Sequence, residues 1–438
     1  MAQGSKTGST YRARTPRSYE IFRRAQTITP AGVSYINRLI QPYPFFVQEA
    51  RGSKLIDVDG NEYTDYWCTH FAMILGHTHP LVLEAIKRQA ENGWHFGVEH
   101  ELELGLSEKI AKHVPTAEMI RYTSSGSEAN FFAIRLARAF TRRSRIAKFE
   151  GCWHGAYDPL HIAVRPPFDK IPSGGITKGS QEDTVVVPYN DLEGFLERTR
   201  GEELACVILE PVLGAGGMIP AEGDFLKGLR EYCNKTGALL IFDEVITGFR
   251  LGLGGAQTFF NVKPDITVMG KIIGGGLPIG AVCGVREIME RMDHTKYSGS
   301  EYAYHGGTFA GNVLTLSAGI ATIDVLEHTP VYDHVNKLGE KVRSNLTQVF
   351  ALNKFPAQAT GVGSIFGIHM TAEKPIKDAR VLASSDHEKS KKLFAQLLDD
   401  GIFILVPERM HAAISYAHSE TDIENLTRSV ERFVQANS

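Results

Sequence analysis

One lysine in the stretch VMGKIIGGGLPIGA (Val268–Ala281) stands between a short apolar run and a chain of glycines. Lys271 therefore falls where a strand should end and a flexible loop begin, the place where α/β proteins keep reactive groups. Partial desolvation there lowers the pKa of the amine and makes it a nucleophile for imine formation. Gly270 and Gly274–Gly276 allow the backbone to approach a ligand closely.

Two other segments supply complementary chemistry. In LLIFDEVITGFR an apolar run delivers Asp243 and Glu244 at its C-terminal edge. A carboxylate buried in a site needs a positive or proton-donating partner, and a protonated ring nitrogen would serve. Capping of the next helix, or pairing with Arg250, is the structural alternative. In RYTSSGSEANFFAIRLARAF (Arg121–Phe140), Ala129, Phe132, Ala133, Leu136, Ala137 and Phe140 recur at helical spacing. Ser125 followed by Glu128 reads as a capping box, which predicts a helix starting near Gly126–Ser127. Free N–H groups and hydroxyls at its positive end suit a phosphate, although an ordinary capped helix has the same pattern. A phosphate-binding helix start, a carboxylate at one strand end and a lysine at another are the parts needed to hold pyridoxal 5′-phosphate. Lysine makes the Schiff base, and the aspartate keeps the pyridine nitrogen protonated.

Competing motifs fail on single residues. Ile272 stands where a P-loop requires Ser or Thr. Ile279 and Ile219 stand where the third glycine of a dinucleotide-binding fingerprint belongs after Gly274-x-Gly276 and Gly214-x-Gly216. His77, His79 and the other histidines form no metal-binding spacing, so no metal is expected.

The elements that position these residues follow from the surrounding pattern. Four short apolar runs, IAKFEG, LACVILEP, ALLIFDEV and DITVMGK, end at polar or Gly residues and alternate with helical segments between Pro80 and about Leu326. Strands buried on both faces read this way, so an α/β architecture around a mostly parallel sheet is predicted. PFFVQEARGSKLIDVDGNEYTDY (Pro44–Tyr66) reads as a strand meander with a hairpin at Asp59–Gly60. After about Pro330 a helix, the short strands SIFGIHM, GIFILVP and AAISYAH, and a closing helix suggest a smaller α+β unit. The expected organisation is an N-terminal arm and meander over 1–70, a large cofactor-binding domain over 71–329 and a small domain over 330–438.

The 438 residues carry a formal charge of −3 and 43% hydrophobic residues. Bulk electrostatics therefore give no reason to expect a nucleic-acid or membrane partner. Five scattered cysteines argue against a disulfide framework, and no run of 18 apolar residues exists. A cytoplasmic location is the expectation. The polar, basic first twenty residues are not a secretory signal. They read as a disordered arm that orders on a partner subunit, or else as a transit peptide.

From about Arg38 to the last helix, the chain resembles the class III (subgroup II, fold type I) pyridoxal-phosphate aminotransferases. Within them it is most similar to the glutamate-1-semialdehyde 2,1-aminomutases and the β-amino acid aminotransferases. The markers, in order, are DVDGNEYTDY, LGHTHP, SSGSEAN, KFEGCWHG, ILEPV, IFDEVITGFR, MGKIIGGGLPIGA, GGTFAGN and YAHSETDIE. The resemblance implies a fold type I transferase, with a mostly parallel seven-stranded sheet and a small α+β domain formed by both termini.

It also implies roles. Lys271 would carry the cofactor and act as general base, and Asp243 would pair with the pyridine nitrogen. Ser125, Gly126 and Ser127 would bind the phosphate, reached by Thr308 from the partner of an isologous homodimer. Trp153 would stack on the ring where the family usually has tyrosine, with His154 beside it. Val245 would pack on the other face, with Glu210 near the hydroxyl side.

Arg38 aligns with an arginine that holds substrate carboxylate, and Arg409 is a second candidate in a segment that can close over the site. ERMHAA replaces the Phe-Glu-Ala-Gly context of the aminomutases, and the stretch Val164–Ser180 departs from their Ser-Gly-rich gating loop. An enzyme that must retain a half-reacted molecule needs its lid, so these changes point to two-substrate transamination. The expected activity is amino transfer between a carboxylate-bearing amine, such as a β-amino acid, and a 2-oxo acid. The aminomutase is the alternative, and an amino acid racemase on the same scaffold a further one.

Overall fold

The structure is a computed structural model in which residues 9–437 are described. The chain divides into two compact units: 80–332 with 375–383, and 9–79 with 333–374 and 384–437.

The larger unit is built on seven strands: β1 (Met119–Thr123), β2 (Arg145–Phe149), β3 (Thr184–Val187), β4 (Leu204–Leu209), β5 (Leu239–Asp243), β6 (Ile266–Gly270) and β7 (Gly280–Gly284). Their order across the sheet is β1-β7-β6-β5-β4-β2-β3. Only β7 runs antiparallel to its neighbours; the β6/β5, β5/β4, β4/β2 and β2/β3 pairs are parallel.

Burial on both faces explains why these segments are almost continuously apolar. Cys206, Ile208, Leu239 and Ile241 pack on one side with Ala133, Leu136 and Ala137 of the helix Gly126–Thr141 (α1). Val207, Leu209, Leu240 and Phe242 face the other side with Phe195, Phe225 and Leu229 from the helices Leu192–Arg198 and Gly223–Thr236. The two-residue period of a strand sends alternate side chains into two separate cores. The chain leaves β1, β2, β4, β5 and β6 at one edge of the sheet, so the residues following these strands converge there.

The second unit holds the expected meander, Val47–Arg51, Lys54–Asp57 and Glu62–Asp65, extended by Ile402–Phe403 parallel to its last strand. A second antiparallel sheet joins Gln358–Val362, Ile365–His369 and Met410–Ala413. The last of these begins two residues before the AAISYAH run, because Met410 and His411 are buried and bond across to Ile365–His369.

The N-terminal arm is corrected over its described part. Ser9–Arg14 and Pro16–Ala25 are helices. Tyr11, Thr15, Ser18 and Phe22 are buried at a helical period. Tyr11 donates to the Tyr43 carbonyl at 2.9 Å, and the Ser18 hydroxyl donates to Asp59 at 2.7 Å. Two of the four buried positions, Thr15 and Ser18, are small polar residues, which masks the apolar stripe in the sequence. The remainder of the arm, 1–8, lies outside the described residues.

Among the described residues no helix is long and apolar enough to cross a membrane. All five cysteines are buried, and none is in a disulfide.

Candidate active site

A cavity of about 150 Å³ opens at the edge of the sheet where the parallel strands end. Ser125, Gly126, Ser127, Trp153, His154, Glu210, Asp243, Val245 and Lys271 all line it, together with Asn130. Residues from five separate strand ends thus meet around one space.

Asp243 ends β5 and is buried. Its Oδ2 accepts from Asn130 Nδ2 at 2.8 Å and faces His154 Nδ1 at 2.7 Å, and its Oδ1 accepts the Val245 N–H at 3.0 Å. Burial pushes the His154 pKa below its ordinary value, against the opposing pull of Asp243. The ring is therefore neutral near pH 7, and the carboxylate fixes the tautomer with the proton on Nδ1. Three of roughly four acceptor positions on the carboxylate are occupied, leaving room for one more donor.

Glu244, the next residue, turns the opposite way. It accepts from Ala256 N at 2.5 Å and Gln257 N at 3.2 Å, and so caps the short helix Gly255–Phe259. Glu244 thus takes the capping role while Asp243 is turned into the cavity, because strand alternation separates neighbours.

Lys271 follows β6 with φ +51 and is half-buried in the cavity wall. Desolvation lowers its pKa, opposed by the charges of Asp243 and then Glu210. Glu210, fully buried, accepts from Trp153 N at 2.7 Å and Gly214 N at 3.2 Å. Its pKa is raised, first by burial and then by the Asp243 charge.

Helix α1 starts at Gly126, capped by Ser125 Oγ, which accepts from Glu128 N at 3.2 Å. Glu128 reaches back to the Ser124 N–H at 2.7 Å, one residue earlier than a standard capping box. Among the described residues nothing accepts from the N–H groups of Gly126 and Ser127. A Cβ at Gly126 would lie 2.8 Å from Val245 Cγ2, so the helix start and the wall behind it approach as closely as glycine allows.

These features fit pyridoxal 5′-phosphate. Unused N–H groups at a helix N-terminus suit its phosphate, the spare acceptor position of Asp243 suits a ring N–H, and Lys271 offers an amine of lowered basicity. Two buried polar atoms beside the cavity, Asn130 Oδ1 and His154 Nε2, also lack partners among the described residues.

Four lining residues are missed in the sequence: Gly155, Ala215, Ile246 and, alone among them in bearing a polar side chain, Asn130. Its signal is a polar side chain on the buried face of an otherwise apolar helix. Three predicted residues are not brought to this cavity within the same unit. Thr308 lines a separate groove of about 580 Å³ with Phe96, Glu103 and Arg121. Arg38 and Arg409 belong to the other unit. Arg38 is exposed, with Nη1 donating to Ser34 Oγ at 3.0 Å. Arg409 directly precedes the buried strand Met410–Ala413.

Known proteins resemble this chain over nearly its whole length. The class-III aminotransferase family model matches residues 35–434. A glutamate-1-semialdehyde 2,1-aminomutase of Methanopyrus kandleri is 41% identical over 431 residues, covering 97% of this chain and 98% of its own. An omega-transaminase from Sphaerobacter thermophilus superposes with a TM-score of 0.91 at 35% identity, over 98% of this chain and 99% of its own. A β-phenylalanine aminotransferase from Variovorax paradoxus gives 0.90 at 30% identity, over 98% and 96%.

Proposed function

The chain belongs to the class-III aminotransferase family, and from that membership we propose that it moves an amino group between a carboxylate-bearing amine, such as a β-amino acid, and a 2-oxo acid. It is a pyridoxal 5′-phosphate-dependent enzyme. Bound in the cavity, the cofactor supplies an aldehyde that takes up the amino group and a ring that accepts electron density when a C–H bond breaks.

The observation that carries the reading is the meeting of Lys271 and Asp243 in one cavity. Lys271 would hold the cofactor and, once displaced by substrate amine, remove and return the proton at the reacting carbon. Its lowered pKa leaves more of the amine neutral and basic near pH 7. Asp243 would accept from the ring nitrogen, oriented by Asn130 and His154. Gly126 and Ser127 would hold the phosphate, with Ser125 capping the helix beneath. Trp153 and Val245 would wall the two ring faces, and Glu210 would stand at the hydroxyl side.

A carboxylate on the substrate is supported by Arg38, whose exposed fork matches two oxygens at once. Arg409 is the second candidate for that task. Thr308, away from the cavity of its own chain, would serve the phosphate of a partner in a homodimer.

Transfer between two substrates is favoured by the stretch 164–180, which departs from the aminomutase lid. The second reading, glutamate-1-semialdehyde aminomutase, is favoured by the 41% identity to the Methanopyrus kandleri relative. A panel of α-, β- and ω-amino acids plus glutamate semialdehyde separates them. Pyridoxamine phosphate accumulating with β-amino acids, without isomerisation of the semialdehyde, supports transamination. Rapid isomerisation without an added acceptor supports the mutase.

A further inference from the structure

The loop after β2, Glu150–Gly155, carries Trp153 and His154 into the cavity wall. Much of what holds it is local. Glu150 N donates to Val187 O at 2.9 Å, Gly151 N to Ala163 O at 2.9 Å and Cys152 N to Phe149 O at 3.2 Å. The buried Lys148 amine donates to the carbonyls of Cys152 and Ile162.

One restraint comes from far along the chain. Pro375–Ala383 belongs to the larger unit although its flanking segments belong to the other. Arg380 Nε donates to Glu150 Oε2 at 2.5 Å, and Nη2 donates to Oε1 at 2.6 Å, across 230 residues of sequence. The Glu150 side chain is only 4% exposed, whereas that of Arg380 is 52% exposed. The helix Ala379–Ala383 also presses on the loop directly. Gly151 has φ +80, and a Cβ there would lie 2.6 Å from Ala379 Cβ.

We infer that Arg380 is a positioning residue for the cofactor wall, holding the Trp153–His154 loop in place through Glu150. The pair is asymmetric. Removing the half-exposed guanidinium strips the buried carboxylate of its two-pronged hydrogen bond, with only the Lys148 amine left as a nearby positive charge, and such a group draws in water or moves. The loop is short, so movement at Glu150 reaches Trp153 within three residues and His154 within four. Displacing His154 also loosens its contact with Asp243. A two-pronged fork on a planar acid fixes orientation as well as distance, which a lysine at this position would not reproduce.

The test compares Arg380→Gln, Arg380→Lys and the double variant Glu150→Gln/Arg380→Gln with the parent. Two readings are taken: the dissociation constant for pyridoxal 5′-phosphate, and the circular dichroism of the bound cofactor. Thermal unfolding of the cofactor-free proteins reports stability separately. Arg380→Gln should weaken cofactor binding by about 10-fold, the lower end seen when outer partners of a bound group are removed, and should diminish the cofactor dichroism. Arg380→Lys should fall between it and the parent. The double variant, which also removes the buried carboxylate charge, should recover most of the affinity. Parent-like affinity and dichroism in Arg380→Gln would overturn the inference, even if its unfolding temperature drops. Should Arg380→Gln fail to fold, parent-like values in Arg380→Lys overturn it equally.

Discussion

His154 Nδ1 lies 2.7 Å from Asp243 Oδ2, joining two buried residues 89 apart in sequence. Asn130 Nδ2 meets the same oxygen at 2.8 Å. Two side chains thus fix the direction of the carboxylate. Electrostatic groups fixed in advance need no rearrangement during the reaction.

Replacing Asp243 by Asn should lower amino transfer by about 10²–10⁴-fold, the range typical of a lost charged catalytic group. Asn130→Leu and His154→Leu, which leave the carboxylate present but unsupported, should each lose about 10-fold or more. Steady-state rates check the order. A His154 variant as impaired as Asp243→Asn would mean that His154 acts on its own.

Lys271→Ala should abolish borohydride-stable labelling of the loaded protein and reduce turnover by about 10³-fold or more. Peptide mapping of the reduced parent should put the label on residue 271. A label on Lys148, which is fully buried, would displace the whole reading of the site.

Burial lowers the Lys271 pKa, and the charges of Asp243 and then Glu210 hold it up. Removing either charge should therefore lower it further, more in Asp243→Asn than in Glu210→Gln. The pH dependence of Lys271 acylation in the cofactor-free protein, followed by mass spectrometry, gives the pKa directly. A rise in either variant contradicts the assigned cause.

His418, in the smaller unit, is depressed to about 4 from an ordinary 6.5, chiefly by burial. The unfolded chain takes up this proton below pH 6.5 while the folded chain resists. The stability it contributes is therefore present above 6.5 and lost as the pH falls toward 4. A displacement of that size corresponds to at most about 3 kcal/mol. His418 Nδ1 accepts from Ser415 N at 3.1 Å, a role open to an Asn oxygen. His418→Asn should accordingly show a shallower fall in unfolding temperature between pH 6.5 and 4. An identical pH profile would rule the assignment out.

Cys68, Thr69, His70 and Phe71 all have positive φ, from +46 to +71, without a glycine among them. Asp65 Oδ1 secures this turn by accepting from Trp67 N at 2.9 Å and Cys68 N at 3.1 Å. Left-handed backbone costs a non-glycine residue about 1–2 kcal/mol. Thr69 is exposed, so Thr69→Gly sacrifices no buried side chain and should stabilise the protein by about 1 kcal/mol, net of glycine's greater unfolded-state entropy. Urea unfolding decides it, and a loss of stability would show that Thr69 contributes more than its backbone strain.

The sequence by itself determined the local parts of this protein. Short, almost continuous apolar runs specified the buried strands, Ser125 marked the start of α1, and Lys271 between a strand and glycines marked an amine that lines the cavity. Each depends on neighbours within a few residues, where chain geometry leaves little choice. Tertiary structure alone decided which partners these parts acquired. It chose Asp243 over Glu244 for the cavity, set His154 and Asn130 on that carboxylate, and brought Arg380 to Glu150. It also buried Thr15, between the two N-terminal helices, and Ser18, within the second, in a stretch that reads as a polar arm. Such contacts are fixed by packing between segments distant in sequence, and a buried polar residue carries no periodic trace of the partner that satisfies it.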